Sequence, residues 1–317
     1  GHHYVSHLVH LGHQVIVIDK LSYASYGLDR LKDNKTHDQI KMITWDLATP
    51  ISVGIQKMLS EVEYVVHMAA ETHVDNSIQD ARNCILTNVQ STIEMLESAK
   101  KMPKLKKFIY FSTDEVYGSA PVGTSFTEKN RHIPSNPYSA SKSASEAICQ
   151  SFMNTFQIPL VIVHAMNVFG PRQHKEKFIP MVIDKLMKKE PLNIHCYADG
   201  KTPGSRFYIH TSKISQAVQH VLEHGEIGEV YNIRGQTEVD NLSLYLQIAK
   251  EMGVDHPRYT LTHFDAKRPG HDLRYDISGQ KLLDQLGYDV SVGPDFNELL
   301  KETIAFYLND VKWLKNY

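Results

Sequence analysis

Tyr138 and Lys142 stand four residues apart in the segment Tyr-Ser-Ala-Ser-Lys. On a helix that spacing places phenol and ammonium on one face, one turn apart. An ammonium beside a phenol favours phenolate and draws its pKa down from about 10 toward neutrality. A phenol poised in this way can exchange a proton with a hydroxyl while hydride leaves the same carbon. On a solvated helix face the same four-residue spacing does no chemistry, so its meaning rests on what surrounds it. Asp114 and Glu115 are adjacent and follow an apolar run. They form either a solvated turn or two carboxyls held in different protonation states, a general acid beside a general base. Asp19 closes another apolar run, about 20 residues along from where a glycine-rich turn would lie. An acid at that distance accepts hydrogen bonds from a cofactor ribose. Gly1 is then expected to be the last glycine of that turn, its strand and earlier glycines falling before the sequence given. The alternative is that residues 1–3 are a tag remnant.

Parallel strands and helices are the elements that must position these groups. Strand-like runs lie at 14–19, 40–45, 64–69, 107–112 and 160–165, and helical runs at 52–60, 83–101 and 138–156. Continuously apolar strands are those buried on both faces of a parallel sheet. Their alternation with helices predicts an α/β, doubly wound parallel sheet. Ligands of such sheets sit beyond the strand C-termini. Polar or small residues follow every one of these strands, so one crevice collects them. Beyond Pro171 strands shorten and loops lengthen, predicting a Rossmann domain over 1–170 and a smaller substrate lobe over 171–317.

The chain has 317 residues, with 34 Lys+Arg against 36 Asp+Glu and a net charge of −2. That balance excludes a strongly basic nucleic-acid binder. No apolar run approaches the ~18 residues needed to span a bilayer. The start has no apolar core of a signal peptide, and three scattered cysteines fit a reducing cytoplasm. The 18 histidines lack HxxxH or HExxH spacing, so no metal site is expected and they read as surface and core residues.

Eight segments together resemble the extended short-chain dehydrogenase/reductase family, and within it the nucleotide-sugar 4,6-dehydratases of the dTDP-glucose type. They are DKLSYAS (19–25), HMAAETHVDNS (67–77), STDEVYG (112–118), YSASK (138–142), NVFGP (167–171), EKFIP (176–180), YNIRG (231–235) and RPGHD (268–272). The resemblance implies a Rossmann sheet, here without its first strand, and bound NAD. It implies a redox-neutral cycle: C4 oxidation of a nucleotide-glucose, loss of water across C5 and C6, and reduction at C6. Tyr138 and Lys142 would serve the C4 hydroxyl with Thr113, Asp114 would be the acid at the C6 hydroxyl, and Glu115 the base at C5. Asp114 separates this reading from related 4-epimerases and UDP-glucuronate decarboxylases. A non-catalytic truncated relative is the remaining alternative.

By the same resemblance, Gly1, Asp19, Lys20, Leu21, Ser22, Asp46, Leu47, Met68, Ala69, Ala70, Thr72 and Thr87 line the cofactor, with Tyr138 and Lys142. Asp19 favours NAD over NADP, because an acid repels a 2′-phosphate. Thr72, Thr113, Asn167, Lys177, Phe178, Arg206, Asn241, Arg268 and His271 would face the nucleotide sugar. Three departures stand out. Val168 replaces an asparagine, Gly204 stands where an arginine is usual so that Arg206 lies nearer Tyr208, and 194–197 differs from the usual base-recognition pattern. Thymine and uracil therefore both stay open. The resemblance also implies that 205–240 returns to the main sheet. It further implies a homodimer built on the helices near 83–101 and 138–156, with Ile93, Met95, Leu96, Ile148 and Phe152 as apolar candidates.

Overall fold

The structure is a computed structural model that describes residues 1–263 and 272–315. Arg268 and His271 lie outside the described residues. Eleven strands occur among those described: β1 (Val15–Asp19), β2 (Ile40–Thr44), β3 (Tyr64–His67), β4 (Lys107–Thr113), β5 (Leu160–Ala165), β6 (Asn167–Phe169), β7 (Leu192–Cys196), β8 (Ser205–His210), β9 (Val230–Ile233), β10 (Thr237–Asp240) and β11 (Tyr259–His263). The parallel strands form two hydrogen-bonded blocks, β1–β2 and β3–β4–β5–β9. The blocks share one core, because Ile18 and Ile43 pack with Val65, Phe108 and Tyr110.

β4 and β5 are buried almost along their whole length, as the apolar runs require of strands covered on both faces. The helix Pro137–Phe156 begins with proline in its first turn and with Asn136 as a capping box: its side chain accepts from the Ser139 N–H, while the Ser139 hydroxyl accepts from the Asn136 N–H. The cap fixes where the helix starts and so where Tyr138 stands. The helix Ala81–Ala99 packs beside it. Met95 and Leu96 of that helix belong to the core against β3 and β4 rather than to an outer face. A one-sided helix looks the same in sequence whichever partner it faces. Its exposed apolar residues are Ile85 and Leu86.

Of the segment 205–240, only β9 joins the main sheet. β8 pairs instead with β6 and β10 in a separate three-stranded sheet, because β6 leaves β5 at once after Met166. β7 and β11 pair in parallel, and β7 packs with the helices Phe178–Met187, Asn241–Glu251 and Phe296–Asn309 in a second core. Among the described residues no helix is long and apolar enough to cross a membrane.

Candidate active site

β4 ends at Thr113 and turns straight into a short 3-10 helix, Asp114–Tyr117. The turn is tight. A Cβ on Gly118, at φ 76°, would lie 2.4 Å from the Ile133 carbonyl oxygen. Thr113 organises what precedes it. Its Oγ1 donates to Asp114 Oδ1 at 3.1 Å and accepts from the Glu115 N–H at 3.3 Å. It also lies close enough to the Tyr138 phenol to oppose the rise in its pKa. The sequence-predicted catalytic residues thus converge at a strand end and a helix start.

The two acids are set differently. Asp114 is buried, and its Oδ2 has no hydrogen-bond partner among the described residues. Burial, and then the neighbouring Glu115 charge, push its pKa up to about 7. Burial also raises Glu115, but Arg206, Asn136 and Lys177 act in the opposite direction. Its Oε2 accepts from Asn136 Nδ2 at 3.4 Å and from the Tyr275 hydroxyl at 3.2 Å. The same hydroxyl lies 2.9 Å from Asp272 Oδ2. The two carboxyls thus share one phenolic donor, while the Ser135 hydroxyl also donates to Asp272 and burial raises the Asp272 pKa. Asp114 is thereby suited to donate a proton and Glu115 to accept one. If Asp114 acts as an acid, the elimination step should slow tenfold per pH unit above about 7. Asp114→Asn should lose that limb of the kcat/KM profile, and an unchanged limb would contradict the assignment.

Tyr138 corrects an expectation. Its pKa moves up, not down, first through burial and then through the Glu115 and Asp114 charges. Lys142 does not offset this. Its Nζ donates to the Phe111 carbonyl at 2.8 Å and lies 4.2 Å from the Tyr110 ring centroid, and burial lowers its own pKa to about 8. The Tyr138 phenol is therefore held protonated in the free chain.

The cofactor candidates gather along the strand ends. Asp19 Oδ1 accepts from the Leu21 N–H at 2.7 Å, in a turn where Leu21 takes φ 53°. Lys20 reaches across to Glu71 at 2.9 Å, which ties the end of β1 to the segment after β3. The helix His2–His10 packs on β1, and Gly1 at its start lies on the Asp19 side. Lys20, Thr44, Trp45, Asp46 and Thr49 line a cavity of about 500 Å³. The Trp45 indole nitrogen there is buried and has no hydrogen-bond partner among the described residues. An open slot with an acid, a lysine and an orphan donor suits a polar, flat-ringed group such as an adenine nucleoside. Leu47 turns its side chain into the core. Ser22 starts the turn of the 3-10 helix Tyr23–Ser25. Met68 and Ala69 are packed against core clusters, with Ala70 half-buried beside them. Thr87 is half-buried on the helix Ala81–Ala99.

Asn88 holds this segment in place, and the sequence did not single it out. Its Oδ1 accepts from the Glu71 N–H at 2.7 Å, and its Nδ2 donates to the Glu71 carbonyl at 3.0 Å and to Ser141 Oγ at 2.9 Å. Asn88→Ala leaves these groups unpaired and should cost about 1–3 kcal/mol. A thermal melt should show Tm lower by a few degrees, and an unchanged Tm would contradict this.

On the substrate side, Lys177 Nζ donates to the Thr72 carbonyl at 3.0 Å, and its charge reaches Glu115. Phe178 starts the helix that follows. Asn167 begins β6, and Asn241 Oδ1 is 3.5 Å from the Tyr208 hydroxyl. Val168 packs against the core and leaves its carbonyl to Gln173. Arg206 departs from its expected place. Its guanidinium donates to the Ser205 and Leu273 carbonyls at 2.7 and 2.5 Å and to the Asp272 carbonyl, and it lies 4.4 Å over the Tyr275 ring. It faces inward, toward the acids. The reason begins at Gly204, where a Cβ would come within 2.7 Å of the Leu273 carbonyl oxygen and no side chain fits.

The family described as GDP-mannose 4,6 dehydratase matches residues 1–303. The chain belongs to this family. A dTDP-glucose 4,6-dehydratase from Xanthomonas campestris is 33% identical over 99% of the chain and 92% of its own length. A trifunctional UDP-glucose 4,6-dehydratase, 3,5-epimerase and reductase from Arabidopsis thaliana is 32% identical over 95% of the chain, which spans 44% of that longer protein. A crystal structure of dTDP-glucose 4,6-dehydratase from Streptomyces venezuelae, with NAD and TYD bound, superposes with a TM-score of 0.87 at 31% identity, covering 99% of this chain and 96% of that one.

Proposed function

We propose that this chain is an NAD-dependent nucleotide-sugar 4,6-dehydratase, which converts a nucleotide-glucose to its 4-keto-6-deoxy product. The observation that carries the reading is the Asp114–Glu115 pair at the end of β4, with two different electrostatic settings, beside Thr113 and Tyr138. An epimerase or a decarboxylase has no use for a protonated acid beside a base at that point. Glu115 takes the C5 proton, Asp114 gives a proton to the departing C6 hydroxyl, and Tyr138 takes the C4 hydroxyl proton. Thr113 fixes the sugar's C4 hydroxyl beside Tyr138. Bound NAD would supply the hydride chemistry at C4 and C6, and its positive charge would oppose the upward shift of Tyr138. Asp19, Lys20, Asp46, Trp45 and the segment 68–72 would hold it.

Lys177 and Asn241, with Arg268 and His271, are assigned to the nucleoside diphosphate, and Arg206 to setting the charge on Glu115. The two lobes, 1–170 and 171–317, would close over the sugar. A homodimer through the outer faces of the helices Ala81–Ala99 and Pro137–Phe156, and a cytoplasmic location, complete the proposal. Exposed Ile85, Leu86 and Phe156 support the first, and three free buried cysteines the second. Incubation with dTDP-glucose and with UDP-glucose, followed by product analysis, tests the reaction and chooses the base. A 4-keto-6-deoxy sugar from either supports it. UDP-galactose, UDP-xylose or no product from any nucleotide sugar would overturn it.

A further inference from the structure

Behind Lys142 lies a buried group that the reaction above does not use. Glu146, one helical turn beyond Lys142, is buried among β4, β5 and the loop before the helix. Its Oε1 accepts from the Ser112 hydroxyl, in the residue that precedes Thr113. Its Oε2 is 3.0 Å from His164 Nε2 on β5 and 3.6 Å from His132 Nε2 on the loop.

Hydrogen bonding fixes the state of His164. Asn232 Nδ2 donates to the Phe126 carbonyl, so its amide orientation is set and its Oδ1 faces His164 Nδ1 at 2.8 Å. The Tyr117 hydroxyl lies 3.0 Å from the same Nδ1 and donates to Asn232 Oδ1 at 3.4 Å, and an amide oxygen only accepts, so this arrangement suits a proton on Nδ1. Nε2 faces a carboxylate oxygen, which also only accepts. Both ring nitrogens thus face acceptors, an arrangement that favours an imidazolium in contact with the Glu146 carboxylate. Its pKa is raised and that of Glu146 lowered, despite the burial of both.

We propose that Glu146 is the positioning residue and counter-charge of Lys142, locked as a carboxylate by the His164 imidazolium and by Ser112. A buried ammonium otherwise loses its proton, and Glu146 is the first of the groups that oppose this. The other titratable groups around Glu146 are Cys149 on its own helix, Tyr110 on β4, His132 from the loop, and Tyr117, with Glu128 acting beyond it on both Tyr117 and His164. The bond to Ser112 adds a mechanical link, since it holds the end of β4 from which Thr113, Asp114 and Glu115 project. The proposal rests on the reaction proposed above, with the Lys142 ammonium serving the C4 hydroxyl beside Tyr138, so one of its tests is independent of turnover.

NMR of the imidazoles in the full chain, without substrate, provides that test. His164 should titrate above the ordinary value of 6.5 in the wild type and fall below it in Glu146→Gln. A His164 that titrates below 6.5 in the wild type would overturn the proposal whether or not the chain turns over any sugar. So would zinc co-purifying at one ion per chain, because a metal would take both Nε2 positions. The second test is the pH profile of the C4 oxidation half-reaction, which does not use Asp114. Its alkaline limb, set by Lys142 at about 8, should move one to two pH units lower in Glu146→Gln and return toward wild type in Glu146→Asp. A rate that falls with the limb unmoved would show a merely structural role and would also overturn it. Should Glu146→Gln not fold, Glu146→Asp and the wild-type titration still decide.

Discussion

Tyr138→Phe should abolish turnover, with a loss of about 10³-fold or more and unchanged folding. A positioned acid–base group contributes about 10²–10⁴-fold, and a 10³-fold loss is ~4 kcal/mol of barrier. The substitution removes one hydroxyl, and the neighbouring Thr113 and Asp114 remain hydrogen-bonded to each other. The fold is therefore not asked to absorb a new cavity. Both half-reactions should be lost, since nothing downstream begins until the C4 hydroxyl is oxidised. Rapid-mixing absorbance of the reduced cofactor reads the first step. Oxidation at near wild-type rate in Tyr138→Phe would remove Tyr138 from the chemistry.

Glu115→Gln should behave in the opposite manner. Oxidation at C4 should stay within a few-fold of wild type, and elimination should fall by about 10²–10⁴-fold, so that reduced cofactor accumulates. The amide keeps the size of the side chain and can still meet Asn136 and Tyr275, the groups that hold Glu115 in place. What disappears is the basic oxygen. It also removes the charge that raises Asp114, so the pH limb near 7 should move lower. Equal loss of both half-reactions would mean that Glu115 is part of the frame rather than the base at C5.

Much of this site was legible because its chemistry is contiguous in the chain. Thr113, Asp114 and Glu115 are neighbours, and Tyr138 and Lys142 are one turn apart, so strand and helix periodicity alone bring each group to the crevice. The strands of the main sheet also announced themselves, since β4 and β5 are apolar on both faces. What could not be read depends on distant contacts. His132, Glu146 and His164 come from a loop, a helix and a strand, and no local spacing connects them. Tyr275 and Asp272 reach Glu115 from the far end of the chain. Arg206 reads as a ligand for phosphate because its type and neighbourhood fit, and in the structure three of its five N–H donors meet backbone carbonyls. The direction of the Tyr138 shift was missed for a similar reason. Spacing placed Lys142 near the phenol, but the Phe111 carbonyl and the Tyr110 ring hold its ammonium, while two carboxylates face the phenol. β6 has only three residues, too few for a periodic signal.

The central claim is that one hexose is oxidised, dehydrated and reduced without leaving a single cavity. Nucleotide-glucose carrying deuterium at C4 tests it most directly. The deuterium should be recovered at C6 of the product within the same sugar molecule, with a solvent proton at C5. Deuterium returned to C4, or lost to the medium, would contradict the account.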